Sequence, residues 1–155
     1  MKFERERDAV DMAILRELQL NARLSVRELA ARIHRSPMPV AERLRRLESE
    51  GVIKGYTAQL DMGKLGHGFT VFCNVRLNHI NTEIHTAFAQ EVQSMAEVAE
   101  CYNVSGEFDY MLKVQVPDME AYRLFVTERL GKLSMLDSVQ SVFVMENIKQ
   151  TVVLL

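Results

Sequence analysis

The sequence predicts an α+β protein of two domains, because the spacing of its apolar residues changes near residue 61. Before that point apolar residues recur every three to four positions, which is typical of amphipathic helices. After it, alternating runs typical of strands are interleaved with helical runs. A glycine-containing stretch separates the two patterns and indicates a connector rather than the interior of an element. We therefore expect a first domain at residues 1–61, a linker at 62–68 and a second domain at 69–155.

Composition and charge narrow the class of protein. The chain has 155 residues, of which 48% are apolar, enough to bury a core. Its N-terminus is charged and no apolar run approaches the roughly 18 residues of a membrane span, so we expect a soluble, cytoplasmic protein. Residues 1–60 carry a net charge of +3 and residues 61–155 a net charge of −5. Eight arginines between Arg16 and Arg46 predict an anionic partner for the first domain.

Two short helices are predicted at the start of the first domain. Asp8 is placed to cap the first, which should end near Asn21. Ser25 and Glu28 have the spacing of a capping box and predict the start of the second. The apolar stripes are Val10, Ile14, Leu15 and Leu18 in the first helix and Val26, Leu29, Ala30 and Ile33 in the second.

A third helix is predicted in the segment HRSPMPVAERLRRLESEG. Ser36 stands at its cap, so Pro37 is the first helical position and Pro39 the third. Backbone N–H groups in the first turn have no partner within a helix, so neither proline costs a hydrogen bond. The two prolines therefore define where this helix begins.

The residues after the third helix complete the first domain. Gly51 is placed to end the helix, and residues 52–60 predict a strand with a kink or bulge at Gly55. Three short helices and a strand, with arginines on the third helix, fit a winged helix-turn-helix.

The third helix has one apolar and one basic, mixed face when projected at about 100° per residue. The planar fork of arginine bonds two acceptors at once, which suits phosphates and guanine edges. A solvated helix face is the alternative for these charges, but the helix-turn-helix pattern favours DNA. The apolar face holds Val40, Leu44 and Leu47, and the opposite face holds Met38, Glu42, Arg45, Arg46 and Ser49.

Single residues of this surface allow finer predictions. We expect Arg35 and Arg43 to contact phosphates rather than bases. Glu42 could accept from a cytosine amino group or pair with Arg46 four residues on, and we favour the pair. Met38 could contact a thymine methyl group, although methionines are more often gap fillers in a core.

The second domain predicts a ferredoxin-like βαββαβ fold, from the order strand, helix, strand, strand, helix, strand. Asp118 can cap its second helix and Gly131 can end it. The tail TVVLL could add an edge strand. The strands are predicted around 71–77, 98–104, 110–116 and 139–145, and the first helix around 84–95.

Two helices cover only one face of such a sheet. Phe72 on one register, with Val142 and Val144 on another, indicates that the second face is also partly apolar. An exposed apolar face of this kind needs a partner, so we expect a dimer.

The blocks ARLSVRELAARIHRSPMPVAERLRRLESEGVIKGYTAQLD and VSGEFDYMLKVQVPDMEAYR together resemble the Lrp/AsnC family of transcription regulators, over nearly the whole chain. The second block is similar to the amino-acid-sensing domain of the leucine-responsive branch. The resemblance implies a homodimer that binds double-stranded DNA, assembles into larger rings or octamers and responds to a small effector, usually an amino acid. Leucine is the first expected effector, although Asn103 stands where that branch has an apolar residue.

The resemblance also implies functional residues in both domains. It places the DNA-reading surface at Ser36, Pro37, Met38, Pro39, Glu42, Arg43, Arg45 and Arg46, beside Arg35. It places the effector loop at Ser105, Gly106, Glu107, Phe108 and Asp109, with Val104, Met119 and Val144 as apolar neighbours.

The chemistry of the loop is compatible with this role. Gly106 is most simply a turn glycine. Asp109, beside a turn with outward backbone N–H groups, offers an acceptor for an ammonium and donors for a carboxylate. Those are the partners that a free amino acid needs, so with the resemblance we favour a site.

The sequence does not favour a disulfide, a metal site or a catalytic centre. Cys73 and Cys101 lie far apart in alternating apolar runs, which predicts two reduced core thiols. The four histidines show no metal-ligand spacing, and we find no nucleophile with a base or phosphate loop, so we expect neither a metal site nor an enzyme. The alternative function is an architectural protein that coats and bends DNA without an effector.

Overall fold

The computed structural model describes residues 7–79 and 81–149. They divide into two compact units, one with the described residues up to Gln59 together with Lys149, and the other spanning Leu60–Ile148. The first unit is helical and the second combines helices with a sheet. Every helix in the described part of the chain is too short or too polar to span a bilayer.

The first unit contains three helices whose starts follow the predicted caps. The Asp8 carboxylate accepts the backbone N–H groups of Val10 and Asp11, and Ser25 and Glu28 form the predicted capping box. Each cap satisfies backbone N–H groups that have no partner within the helix. The helices are α1 (Ala9–Leu20), α2 (Val26–Arg32) and α3 (Pro37–Ser49).

Helix α3 begins where the prolines predict, but without a side-chain cap. Ser36 has an extended backbone and its hydroxyl accepts no backbone N–H at the cap. A cap side chain normally accepts from the second or third helical residue, and Pro39 in third position has no N–H to donate. The tight turn before α3 passes through His34, whose φ is +53°.

The core of the first unit joins the apolar stripes of all three helices. Its buried residues are Ile14, Leu15, Leu18, Leu29, Ala30, Val40 and Leu47. The charged residue Asp11 is buried beside them.

The strand predicted at residues 52–60 is wrong for the chain as described. Val52 and Ile53 donate their backbone N–H groups back to the Leu47 carbonyl, and none of these residues is in a strand. A strand needs a neighbour with which to form a ladder, and alternation alone cannot show whether one is present. Residues 52–60 therefore do not form a strand of a wing here.

The second unit has the predicted ferredoxin-like topology. Its four strands lie in the order β2-β3-β1-β4, and every neighbouring pair is antiparallel. The elements are β1 (Phe69–Leu77), α4 (Thr82–Gln93), β2 (Val98–Asn103), β3 (Tyr110–Val116), α5 (Met119–Leu124) and β4 (Leu136–Phe143). The tail strand suggested for residues 151–155 lies outside the described residues.

Helix α5 is more irregular than its apolar spacing predicts. Asp118 caps it as expected by accepting the N–H of Ala121 at 2.8 Å. The chain then widens into a π-helical turn at Phe125–Arg129 and tightens into a 3₁₀ turn at Leu130–Lys132. Gly131 lies in that last turn, where a Cβ would stand 3.0 Å from the Val126 carbonyl oxygen.

The two cysteines differ in environment. Cys73 is buried in the sheet core, where its Sγ lies 3.1 Å from the Tyr122 hydroxyl. Cys101, also predicted to be a core thiol, is exposed. Among the described strands, β2 is an edge strand that pairs only with β3, so a core position predicted from alternation does not hold there.

The second face of the sheet carries apolar side chains, as predicted. Phe72 on β1 is opposite Val142 on β4 and Lys113 on β3. Phe72 is half-buried, and Val142 is exposed.

Candidate DNA-binding surface and effector site

The outward face of α3 and the turn before it form a continuous exposed surface. Met38 has 82% of its surface exposed, although it is apolar. Met38 therefore does not fill a gap in the core, which was the alternative prediction for this residue. The exposed residues predicted to bind DNA are Arg35, Ser36, Pro37, Met38, Pro39, Glu42 and Arg45.

Arg45 is the exposed arginine in the middle of this helix. It makes no hydrogen bond or ion pair with any described residue. Its five N–H donors are therefore available to acceptors outside the unit. Arg35 is also exposed, and its Nη1 donates only to the neighbouring carbonyl of His34, at 3.2 Å.

Arg43 and Arg46 differ from Arg45 in having protein partners, because both bind the buried carboxylate of Asp11. Arg43 Nη1 lies 2.8 Å from Asp11 Oδ1, and Arg46 Nη2 lies 3.0 Å from each Asp11 oxygen. Arg43 Nη1 also lies 2.6 Å from Asp8 Oδ2. The two arginine side chains are 28% and 29% exposed, and that of Asp11 is 2% exposed.

These four residues, Asp8, Asp11, Arg43 and Arg46, are called the arginine clamp below. The backbone N–H of Asp11 and the Arg43 guanidinium lower the pKa of Asp8 to about 2. Hydrogen bonds to Asp8 and then Asp11 raise the pKa of Arg43. The clamp corrects the predicted Glu42–Arg46 pair, since Arg46 binds Asp11 and Glu42 has no ion pair with the described residues.

The predicted effector loop is a tight turn between β2 and β3. Its ends are joined by a hydrogen bond from the Val104 N–H to the Asp109 carbonyl, at 2.9 Å. The Asn103 amide also donates to that carbonyl, at 2.9 Å. Gly106 has a φ of +120°, a conformation that side chains with a Cβ rarely adopt. The glycine is therefore required by the turn itself.

Asp109 ties the loop to β1. Its Oδ2 accepts the Leu77 backbone N–H at 2.8 Å, and its own N–H donates to the Val75 carbonyl at 2.9 Å. One carboxylate oxygen therefore has a structural partner. The carboxylate keeps further acceptor sites, including its other oxygen, for an ammonium group.

Arg76 is a loop contact that the sequence analysis missed. Its Nε donates to the Glu107 carbonyl at 3.0 Å and its Nη2 to the Glu107 carboxylate at 3.2 Å. Its guanidinium carbon lies 5.6 Å from the centroid of the Phe108 ring, within the range of a cation–π contact. Arg76 lies one residue beyond the last β1–β3 pair, Val75–Tyr110. Only that register, which the sequence does not reveal, places it beside the turn.

An open cavity of about 560 Å³ adjoins this loop. Its walls combine amide and carboxylate groups with apolar surface, which suits a small amphipathic ligand. The lining residues are Asn74, Asn103, Val104, Ser105, Glu107, Phe108 and Met111. Four of the predicted effector residues, Val104, Ser105, Glu107 and Phe108, are among them.

The other predicted effector residues, Gly106, Asp109, Met119 and Val144, do not line this cavity within one copy of the chain. Val144 donates its N–H to Thr70 at the start of β1, and Met119 begins the helix after β3. The cavity lies at the other end of these antiparallel strands, where Asn103 is paired with Tyr110. In the described part of the chain, no group of three His, Cys, Asp or Glu side chains is placed to hold a metal ion.

Both units match known families. Residues 7–54 match a family described as winged helix-turn-helix DNA-binding, and residues 70–154 match the Lrp/AsnC ligand binding domain. The chain is 43% identical over 144 residues to the leucine-responsive regulatory proteins of Klebsiella pneumoniae and Escherichia coli K12. Each alignment covers 93% of this chain and 88% of the relative.

Solved structures agree with these matches. A transcriptional regulator of Neisseria meningitidis in complex with L-Met is 34% identical, with a TM-score of 0.88. An AsnC family transcriptional regulator from Agrobacterium tumefaciens is 37% identical, also with a TM-score of 0.88. Each comparison covers 94% of both chains.

Proposed function

Because this chain belongs to the Lrp/AsnC family of transcriptional regulators, we propose that it binds DNA through α3 and an amino acid at the loop between β2 and β3. The observation that carries the DNA half is the exposed face of α3, with Met38 and Arg45 free of partners in the described unit. The residues of the first domain, 1–61, then form the reading module. A linker at 62–68 leads to the sensing and assembly domain at 69–155.

The DNA-contacting residues divide by role. Arg45 and Met38 are placed to reach base edges, and Arg35 to reach a phosphate. Ser36, Pro37, Pro39 and Glu42 shape the same exposed surface. Arg43 and Arg46 stand at its flank, in the arginine clamp. In a two-fold dimer, two such helices would read half-sites separated by about one helical turn, some 34 Å.

The effector is an amino acid in this proposal. Relatives are named for leucine and one solved relative holds L-Met, so leucine is the first candidate and methionine the second. The free amino acid would use loop N–H groups for its carboxylate and the second Asp109 oxygen for its ammonium. Its contacts would come from Val104, Ser105, Gly106, Glu107, Phe108 and Asp109. Met119 and Val144 would join only from a second copy of the chain.

Assembly connects the two activities. The partly apolar open face of the sheet, with Phe72 and Val142, supports a homodimer. Larger assemblies, up to an octamer, would be built from such dimers. An effector shifts such an equilibrium only by its differential affinity for the assembly states. The protein acts in the cytoplasm as a regulator and not as an enzyme.

Thermal unfolding of the full chain against a panel of amino acids tests the effector half. A ligand that binds only the folded state stabilises it by about 2.7 kcal/mol at 100 times its dissociation constant. We expect a selective rise in Tm with leucine or methionine, and loss of that rise in Asp109→Ala. If DNA binding persists and no amino acid changes Tm or DNA affinity, the architectural alternative replaces this proposal.

A further inference from the structure

The arginine clamp removes two of the arginines of α3 from the basic surface that the helix presents. Asp8 and Asp11 at the start of α1 face Arg43 and Arg46 on α3. Two carboxylates and two guanidiniums sum to no net charge. The clamp therefore attracts a polyanion such as DNA only weakly. Arg45 on the same helix has no carboxylate partner among the described residues.

A DNA phosphate would have to compete with Asp11 for these arginines. The Asp11 side chain is only 2% exposed, and its two oxygens accept three hydrogen bonds from the two guanidiniums. Moving an arginine onto a phosphate would leave a buried carboxylate with fewer partners, which is strongly unfavourable. The phosphate offers the arginine only an equivalent partner in exchange.

We propose that Asp11 is a positioning residue that withholds Arg43 and Arg46 from DNA. It thereby weakens the binding of the protein to DNA of non-specific sequence. This inference rests on the proposed DNA-binding function. Sequence-independent affinity grows with the number of phosphates that lysines and arginines neutralise, while base edges carry the sequence information. Holding two arginines back lowers the first contribution and leaves the second, through Arg45, unchanged.

The test uses the full chain, Asp11→Asn and short DNA duplexes of random sequence. Affinity is measured across about 50 to 200 mM salt, and each neutralised phosphate contributes about 0.9 to the slope of log K against log salt. Asn keeps the shape of the side chain but removes its charge. We expect Asp11→Asn to bind these duplexes more tightly than wild type at low salt, with a slope steeper by about 0.9 for each arginine released.

A second substitution identifies the arginine responsible. In Asp11→Asn/Arg46→Gln the additional slope should fall, because Arg46 has no partner in the clamp other than Asp11. Arg46→Gln alone should leave the wild-type slope unchanged. An unchanged slope in Asp11→Asn overturns the inference, because it means that no arginine is released to phosphates. A shallower slope also overturns it, because it means that Asp11 presents the arginines to phosphates.

Asp8→Asn keeps the proposal testable if Asp11→Asn does not fold. The Asp8 side chain is 46% exposed, and asparagine caps helices as well as aspartate does. Because Arg43 still binds Asp11 in this variant, we expect the wild-type slope, and a steeper slope that Arg43→Gln reverses would show that Asp8 rather than Asp11 withholds Arg43 and would overturn the inference. If the wild-type chain fails to bind any duplex at low salt, the proposed function falls instead.

Discussion

The surface of α3 and the loop between β2 and β3 are both functional candidates, but they are built in different ways. The surface of α3 lies on a regular helix whose start is defined by Pro37 and Pro39. The loop is a turn held by Arg76, which precedes its partner Glu107 by 31 positions. Local sequence is enough to predict the first. The second depends on a partner that only the fold brings near.

Each region also contains an arginine–carboxylate pair, and the two pairs differ in burial. Asp11 in the arginine clamp is 2% exposed, whereas the Arg76 and Glu107 side chains are 39% and 74% exposed. Water and salt weaken an exposed pair, but a buried carboxylate depends on its partners. The clamp therefore contributes to the stability of its unit, while Arg76 controls mainly the shape of a turn.

Removing both arginines of the clamp should have the largest effect. In Arg43→Gln/Arg46→Gln the buried Asp11 loses its charged partners, and breaking a buried pair costs about 3 to 5 kcal/mol. The partial exposure of the arginines places the expected loss at about 3 kcal/mol or less. Hydrogen exchange of the α1 and α3 amides measures it, with Arg32→Gln, which breaks the exposed pair with Glu17, as the control. Equal losses in both variants would contradict the distinction.

Removing Arg45 should weaken DNA binding without lowering stability. A bidentate contact to a guanine edge contributes about 1 to 3 kcal/mol of discrimination, so we expect affinity for a selected site to fall by about 5- to 150-fold. If Arg45 instead binds a phosphate, the salt slope becomes shallower by about 0.9. Arg45→Ala is measured by titration of DNA beside Arg123→Ala, an exposed arginine of the second unit. Unchanged affinity and slope would remove α3 as the reading helix.

Removing Arg76 should change the loop more than the stability of the second unit. Arg76→Met keeps much of the side-chain length but loses the contacts to Glu107 and Phe108. Exposed pairs contribute less than about 1 kcal/mol, so the Tm should change little while amide exchange in residues 105–108 rises. Arg123→Met breaks the exposed pair with Glu120 instead and should leave the loop unchanged. Loop exchange equal to that of wild type in Arg76→Met would show that Arg76 does not hold the turn.

The smallest expected effect is the pH dependence of the Asp8 contact. The pKa of Asp8 is lowered from 3.8 to about 2 in the folded unit. The stabilisation is therefore present above about pH 4 and is lost as the pH falls toward 2. We expect the stability difference between wild type and Asp8→Asn to shrink over that range. A constant difference from pH 5 to pH 2 would contradict the contribution of the Asp8 charge.

The accuracy of the sequence predictions follows the range of the interactions involved. Caps such as Asp8 and Ser25 were correct because their partners lie within three residues. The prediction of strand β3 was correct because buried and partly buried residues alternate along Tyr110–Val116, as the sequence pattern indicates. The strand at residues 52–60 and the core position of Cys101 were wrong. Both depended on whether a neighbouring strand exists at that place.

Local sequence was enough to predict most of the helices and strands, the change of period near residue 61, and the proline start of α3. It did so because capping, proline geometry and apolar periodicity act over a few residues. Which arginines of α3 are free depends instead on contacts between helices. The partner of Arg46 is Asp11, 35 positions away, and helical projection cannot show that a neighbouring helix carries a buried carboxylate. The same reason hid Arg76, whose place beside the loop follows from strand register alone.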